Sequence, residues 1–361
     1  MSRIIVAGGG VAALESCLAL RAHLGPEDLE ITLLTPSTRF EYRPLAVLES
    51  FEGISRWSLA LSTFGSDLHV DLVHDALAAV GPHARVAVTG SGTELGYDLL
   101  LVATGGHTAD AIHGAITFRG PAEGRQLRAL LDDPPSSIVF AAPAGASWPL
   151  PLYELALMSA ADLRSRGADT TVALVTPEQT PLAAFGASAS ESTAAEIADR
   201  EIELITGADP VVARDGALEL RDGRHIEAEC VIALPRLFGR RIEGIPHDAE
   251  DFIVVDEHCR VVGLSHVYAA GDVTNLPFKH GGLAAQQGDA AAEAMLAQLG
   301  VAITPEPLQP VLEGVLFADR RSSSTWPPEK IVGRHLTPYL AGVIAAPAPR
   351  KPTDGARHQR A

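Results

Sequence analysis

An α/β fold follows from this sequence, with two parallel-sheet units, the second inserted in the first, plus a short C-terminal section. Three stretches carry that expectation. Ile4-Ile5-Val6-Ala7 runs into Gly8-Gly9-Gly10 and then into a helical pattern from Val11 to about Leu24. Ser136-Ser137-Ile138-Val139-Phe140, a helical pattern over Leu152 to Ser165, and Thr171-Val172-Ala173-Leu174-Val175 repeat that plan in mid-chain. Val267-Tyr268-Ala269-Ala270 meets Gly271-Asp272, and an Ala-rich helical run follows from Lys279 to about Leu299. Short continuous apolar runs alternating with helix-length segments signal strands buried on both faces of a parallel sheet.

The first stretch has the chemistry of a dinucleotide turn. Gly8 permits a tight turn, Gly10 lets backbone approach a pyrophosphate, and Ala13 permits close packing of helix on strand. The helix start at Val11 and Ala12 offers unpaired N–H groups to an anion. Both sheet units are therefore expected to be Rossmann-like, three-layered dinucleotide-binding domains. The second strand, Glu30-Ile31-Thr32-Leu33-Leu34, ends at Thr35, where an Asp or Glu would usually bind both ribose hydroxyls. A threonine makes one such bond.

Arg43 lies in the loop that follows, either near the phosphates or the adenosine or simply solvated. His69 to Ala76 resumes a strand pattern, and Thr89-Gly90-Ser91-Gly92-Thr93 between two short runs reads as a hairpin turn. Tyr97 to Val102 is a buried strand closing on the small residues Ala103-Thr104-Gly105-Gly106. In the middle unit the loop Ala141 to Pro151 keeps only Gly145, adds Trp148, and has prolines that remove N–H donors, so nicotinamide binding is weakly supported. Gly216 to Ile226 alternates like a surface hairpin, and Glu229 to Pro235 is that unit's closing strand. The expected division is 1–112 with 243–300, then 113–242, a cover or interface section at 301–344, and a disordered tail at 345–361. Trp326, Ile331, Val332, Leu336, Tyr339 and Leu340 supply an apolar face for that C-terminal section.

Near the end of the first unit, Asp272 after a glycine turn suits ribityl hydroxyls. The helix start near Lys279, His280 and Gly281 suits the ring edge where a flavin gathers negative charge. Candidate cofactor contacts are thus Gly8, Gly9, Gly10, Val11, Ala12, Thr35, Arg43, Thr104, Gly105, Gly271, Asp272 and Lys279; Ala76 is added only by the resemblance given below. Lys279 and His280 are the candidate catalytic groups, and no metal site is expected.

The net charge of −17 leaves no basic face for nucleic acid or for docking on anionic lipid. The three cysteines, Cys17, Cys230 and Cys259, are too scattered for a disulfide framework or zinc, which points to a reducing, cytoplasmic setting. No apolar run approaches the roughly 20 residues of a membrane-spanning helix, so any membrane contact is expected to be peripheral.

Gly8 to Glu15, Tyr97 to Gly106, and Tyr268 to Asp272 with Lys279 to Gln287 resemble the flavoproteins that carry two dinucleotide-binding domains. Within that superfamily, the FAD-dependent pyridine nucleotide-disulfide oxidoreductases, Phe40-Glu41-Tyr42-Arg43-Pro44 and Pro149 to Glu154 look most like sulfide:quinone oxidoreductases and flavocytochrome c sulfide dehydrogenases. Type II NADH dehydrogenases are neighbours. The resemblance covers roughly residues 1 to 300. It implies FAD with pyrophosphate at Gly8 to Ala12, adenosine near Thr35, Arg43 and Ala76, Thr104 and Gly105 bordering it, Asp272 at the ribityl or phosphate side, and Lys279 near the isoalloxazine. Where sulfide oxidisers carry a cysteine before the proline-rich stretch, this chain has Ser147 and Trp148.

The expected function is electron transfer from a small reductant (NAD(P)H or a sulfur compound) through FAD to a quinone or another small acceptor, without a cysteine persulfide relay. The alternative is a flavin- or adenine-nucleotide-binding module with little turnover, acting in sensing or partner binding. A homodimer is compatible with either.

Overall fold

A computed structural model describes residues 1–43, 46–52, 58–318 and 333–345. The first unit opens with β1 (Ser2–Ala7), α1 (Val11–His23) and β2 (Leu29–Leu34). A hairpin of β3 (Arg39–Glu41) and β4 (Ser58–Ala60) flanks α2 (Ala46–Glu52), and α3 (Leu61–Leu68) leads to β5 (Asp71–Val73). The meander β6 (Leu77–Gly81), β7 (Val86–Thr89) and β8 (Glu94–Gly96) precedes β9 (Leu99–Val102). The chain then crosses to the middle unit through β10 (His107–Ala109), and continues through β11 (Ile116–Thr117), α4 (Pro121–Asp132), β12 (Ser137–Ala141), α5 (Leu150–Ser165) and β13 (Thr171–Val175). There follow α6 (Ala187–Asp199), β14 (Glu203–Ile205), the meander β15 (Pro210–Arg214), β16 (Ala217–Leu220) and β17 (His225–Glu227), and β18 (Cys230–Ala233). The return runs through β19 (Arg236–Phe238) to β20 (Val267–Ala269), α7 (Gly281–Gln298) and α8 (Leu336–Ala345).

Two five-stranded sheets result, ordered β20-β9-β1-β2-β5 and β11-β18-β12-β13-β14, and every pairing in both is parallel. Because β20 joins the sheet begun by β1, the second sheet is an insertion in the first. The two crossings between units, β10 and β19, pair with each other as an antiparallel ribbon. β18 is last in the middle unit's sheet by sequence, yet it lies between β11 and β12.

Strand alternation explains the layering. Ile4 and Val6 of β1, with Leu99 and Leu101 of β9, pack with residues of α1, α7 and α8, whereas Ile5, Ala7, Leu100 and Val102 face the β6–β8 meander. The middle unit repeats this: Ile138 and Phe140 pack with α5, and Val139 and Ala141 with Leu218 and Leu220 of β16. Each sheet therefore has helices on one face and a small antiparallel sheet on the other. Leu336 and Leu340 of α8 are buried in the first core, with Tyr339 packed against it. The residues expected to share that face, Trp326, Ile331 and Val332, lie outside the described residues, as does the tail from 346.

The helices α1 and α7 cross at backbone distance. A Cβ on Gly288 would lie 2.6 Å from the Ala12 carbonyl oxygen, and one on Gly271 would lie 3.2 Å from the Ala12 Cβ. Ser16 Oγ sits 2.7 Å from the Ala12 oxygen and 2.9 Å from that of Gly288, bridging the helices. Buried Gln287 accepts the Gly271 N–H at 2.9 Å and donates to Thr274 Oγ1 at 2.9 Å, fixing the glycine turn to α7. On α1, the buried carboxylate of Glu15 accepts the N–H groups of His335 and Leu336, each at 2.7 Å, and so caps α8. Burial pushes the Glu15 carboxyl above the usual range, with these two N–H donors opposing it.

Gly288→Val should force α7 off α1 and lower unfolding free energy by roughly 1–3 kcal/mol, as overpacking does in tight cores. Equilibrium urea denaturation measures this, and an unchanged midpoint would contradict the close crossing.

Candidate functional site

One cleft of about 1240 Å³ runs between the two units, and every cofactor or catalytic candidate drawn from the sequence lines it. The turn after β1 contributes Gly8, Gly9, Gly10, Val11 and Ala12. The ends of β2 and β9 bring Thr35 and Thr104-Gly105, and the segments beside them bring Arg43 and Ala76. The β20–α7 connection brings Gly271, Asp272, Lys279 and His280. The sequence-distant segments meet because parallel strands deliver their C-terminal ends to one edge of the sheet, where ligands of open α/β sheets bind.

Each glycine of the turn has its own reason. Gly8 has φ +141°, and a Cβ there would lie 2.0 Å from the Ala103 carbonyl oxygen, so no side chain fits. Gly9 faces the Thr35 hydroxyl, which would be 2.8 Å from an added Cβ. Gly10 has ordinary extended backbone (φ −98°, ψ −170°), and a Cβ there would meet nothing within 4 Å. Gly10 is the α1 N-cap without a side-chain cap, and the first helical bond is from Leu14 N–H to the Gly10 oxygen. The N–H groups of Val11 and Ala12 are thus left to a ligand. Thr35 is almost wholly buried, and its Oγ1 accepts the Ser37 N–H at 3.3 Å. Thr104 Oγ1 is buried without a partner.

Half-buried Asp272 has its carboxyl raised by burial, against the opposing charges of Lys279 and Arg43. The Lys279 ammonium donates to the Thr274 carbonyl and lies 3.8 Å from the centroid of the Phe252 ring, a cation–π contact. Burial lowers Lys279 to about 8, with Asp272, Asp248 and Glu250 holding it up. His280 caps α7, its Nδ1 accepting the Gly282 N–H at 3.2 Å, and its ring lies 4.2 Å from that of Trp148.

The second unit's walls were only partly legible. Trp148 also packs on Phe185, with centroids 5.4 Å apart. Pro149 is the N-cap of α5, and Leu152 returns its N–H to the Pro149 oxygen at 2.9 Å. Glu178, just beyond Thr176-Pro177, went unnoticed as an acid near the strand end. It accepts from Tyr153 OH at 2.6 Å and Thr176 Oγ1 at 3.2 Å. Reading along the sequence also missed Glu41, Arg119, Arg240 and Glu313, which line the cleft from loops and strand ends without a spacing signal.

None of the three cysteines lines the cleft. Cys17 and Cys259 are fully buried and their thiols are pushed up to about 12; Cys230, on β18, is pushed up to about 11. Buried, protonated thiols of this kind are inert. Among the described residues, Glu15, Asp289 and His335 bring metal-ligand atoms within 4.8 Å of one another. Glu15 is occupied in capping α8, and His335 Nε2 lies 3.2 Å from Asp289, which accounts for the group as a helix cap.

Residues 153–297 match the family model described as pyridine nucleotide-disulphide oxidoreductase, a span reaching from α5 of the middle unit to α7 of the first. That match covers less than half of the chain, and the rest of the comparison is by likeness to individual proteins. The chain is 25% identical over 304 residues to the sulfide-quinone reductase of Aquifex aeolicus, covering 76% of this chain and 69% of that protein. The fold is similar to the X-ray structure of the sulfide:quinone oxidoreductase of that organism, with a TM-score of 0.76, 20% identity and coverage of 83% and 77% of the two chains. It is also similar to the ferredoxin reductase of the CYP199A2 system of Rhodopseudomonas palustris, with a TM-score of 0.68, 19% identity and coverage of 86% and 78%. Among the described residues, no helix is long and apolar enough to cross a membrane.

Lys279 also dictates a pH dependence. Its folded value of about 8 lies below the ordinary 10.5, so between those values the unfolded chain binds the extra proton. Stability must then rise with pH through that window, and the contribution is a cost below it. Lys279→Met should flatten this part of the stability-versus-pH curve, measured by urea denaturation at a series of pH values. An unchanged slope would show that the ammonium is not desolvated.

Proposed function

We propose that this chain is an FAD-dependent oxidoreductase that takes electrons from a small reductant and passes them to a quinone or another small acceptor. The reading rests on one observation: the uncapped start of α1, the partnerless Thr104 hydroxyl, Asp272 and Lys279 converge on a single elongated cleft. These groups fit FAD. The N–H groups of Val11 and Ala12 would hold the pyrophosphate, with Gly10 leaving room for it. Arg43 would neutralise phosphate charge, and Ala76 would floor the adenosine. Thr35 would make one bond to the ribose, with Glu41 a carboxylate neighbour in the same cleft.

FAD supplies a ring system that accepts electrons from one partner and releases them to another. The chain's part is to hold and tune it. Asp272 would accept from hydroxyls, and the Lys279 cation with the N-terminal end of α7 would favour negative charge on the ring edge. His280, fixed by its capping bond, stands ready to hold a proton beside it. With all three thiols outside the cleft, a cysteine persulfide relay has no residues to run on, so a sulfur donor would have to act directly. The same absence of thiols supports the second reading, a flavin- or adenine-nucleotide-binding module with little turnover.

Gly10→Asp tests the cofactor assignment separately from the fold. The backbone there is ordinary and the space open, so the variant should fold with an unchanged circular dichroism spectrum. Its carboxylate would face the pyrophosphate, and FAD affinity should fall at least ~10-fold, equivalent to about 1.4 kcal/mol. Fluorescence titration of apoprotein with FAD measures it, and equal affinity would overturn the assignment. Anaerobic bleaching of the loaded protein by a small reductant, followed by recovery on adding a quinone, supports turnover; retained FAD that no donor bleaches supports the module.

A further inference from the structure

We propose that the middle unit's nucleotide mouth is closed by the chain itself, so that the electron donor is a small reductant lacking a dinucleotide, and neither NADH nor NADPH. This rests on the FAD reading above and narrows its donor class.

A nicotinamide dinucleotide needs, at the second unit, what FAD finds at the first: a glycine turn and a helix start with spare N–H groups. The start of α5 offers less of either, with one glycine, Gly145, in the loop before it and fewer N–H groups to spare. Among its first three residues, Pro151 carries no N–H and Leu152 spends its own on the Pro149 oxygen. Trp148 fills the approach, held between Phe185 and His280. Glu178, the acid just beyond the end of β13, is no substitute, because it is engaged by Tyr153 and Thr176.

A second barrier comes from far along the sequence. Residues 311–317 cross from α7 to the middle unit as an extended strap. Its first end is fixed by two bonds between Val311 backbone and the Gln286 side chain, each 2.9 Å. Its far end is fixed by Phe317, buried in the second core, whose N–H bonds the buried Glu154 at 3.1 Å. Between them the strap presses on the helix start: a Cβ on Gly314 would lie 3.3 Å from Leu150 Cδ2 and 3.1 Å from the Phe185 ring. Glu313, next to Gly314 on the α5 side of the cleft, adds a carboxylate that would repel phosphates seated at that side. With both ends pinned, one by a buried aromatic, the strap is a wall and does not swing as a lid.

The test uses the full chain loaded with FAD. Isothermal calorimetry with NAD+ and NADP+ should give no saturable binding tighter than roughly 1 mM. In anaerobic stopped flow, NADH or NADPH, each able to deliver a hydride to the flavin and leave as the oxidised nucleotide, should bleach the protein at least ~100-fold more slowly than dithionite. Micromolar binding or bleaching as fast as with dithionite overturns the proposal and leaves the FAD assignment standing. Protein that holds no FAD sinks the FAD assignment instead, and calorimetry on that same protein still decides whether the mouth is closed. Trp148→Ala with Glu313→Gln should raise the rate with NADPH at least ~10-fold; an unchanged rate shows that these residues do not form the barrier.

Discussion

The architecture depends on the approach of two helices whose sequences lie far apart. Gly288 of α7 lies against the Ala12 carbonyl of α1, and Ser16 bridges the two backbones. The parallel strands bring the Gly8–Ala12 turn and the Gly271–Asp272 turn to one edge of the sheet, and that contact sets how closely the two turns approach. A larger residue at position 288 would be met by backbone, which cannot rotate away as a side chain can. Gln287 supplies the complementary constraint, because its amide satisfies both the Gly271 N–H and the Thr274 hydroxyl in a setting from which water is excluded.

Charge in the cleft differs from charge on the chain. The sequence carries a net −17, yet Arg39, Arg43, Arg119, Arg240 and Lys279 all border the cleft. An anionic cofactor would therefore meet local cations inside an acidic protein, a matter of where charges sit and not of how many there are. Lys279 marks the limit of this arrangement: it keeps its charge near neutrality only through surrounding carboxylates and the face of Phe252.

How much could be read in advance varied with the range of the forces involved. Strands such as Thr171–Val175 and Leu99–Val102 were legible because burial on both faces writes itself as an unbroken apolar run. The glycine turn was legible because only glycine fits beneath the Ala103 carbonyl. By contrast, α6 escaped notice, since its buried residues, Ser190, Thr193 and Ile197, make no apolar stripe. Glu15 reads as an ordinary polar position on a helix; its role as the cap of α8 depends on a partner 320 residues away. Glu313 and Arg240 reach the cleft through tertiary packing alone, and no local pattern could have named them.

The place of β20 in the first sheet has a consequence for biosynthesis. During synthesis the nascent chain exposes β1, β2 and β9 while the strand that completes their sheet, and the helix that covers it, are still untranslated. The inserted unit has all of its own strands by Ala233 and is free to condense first on the ribosome. The first unit must wait, its glycine turn exposed and its helix uncovered, until β20 and α7 have been made.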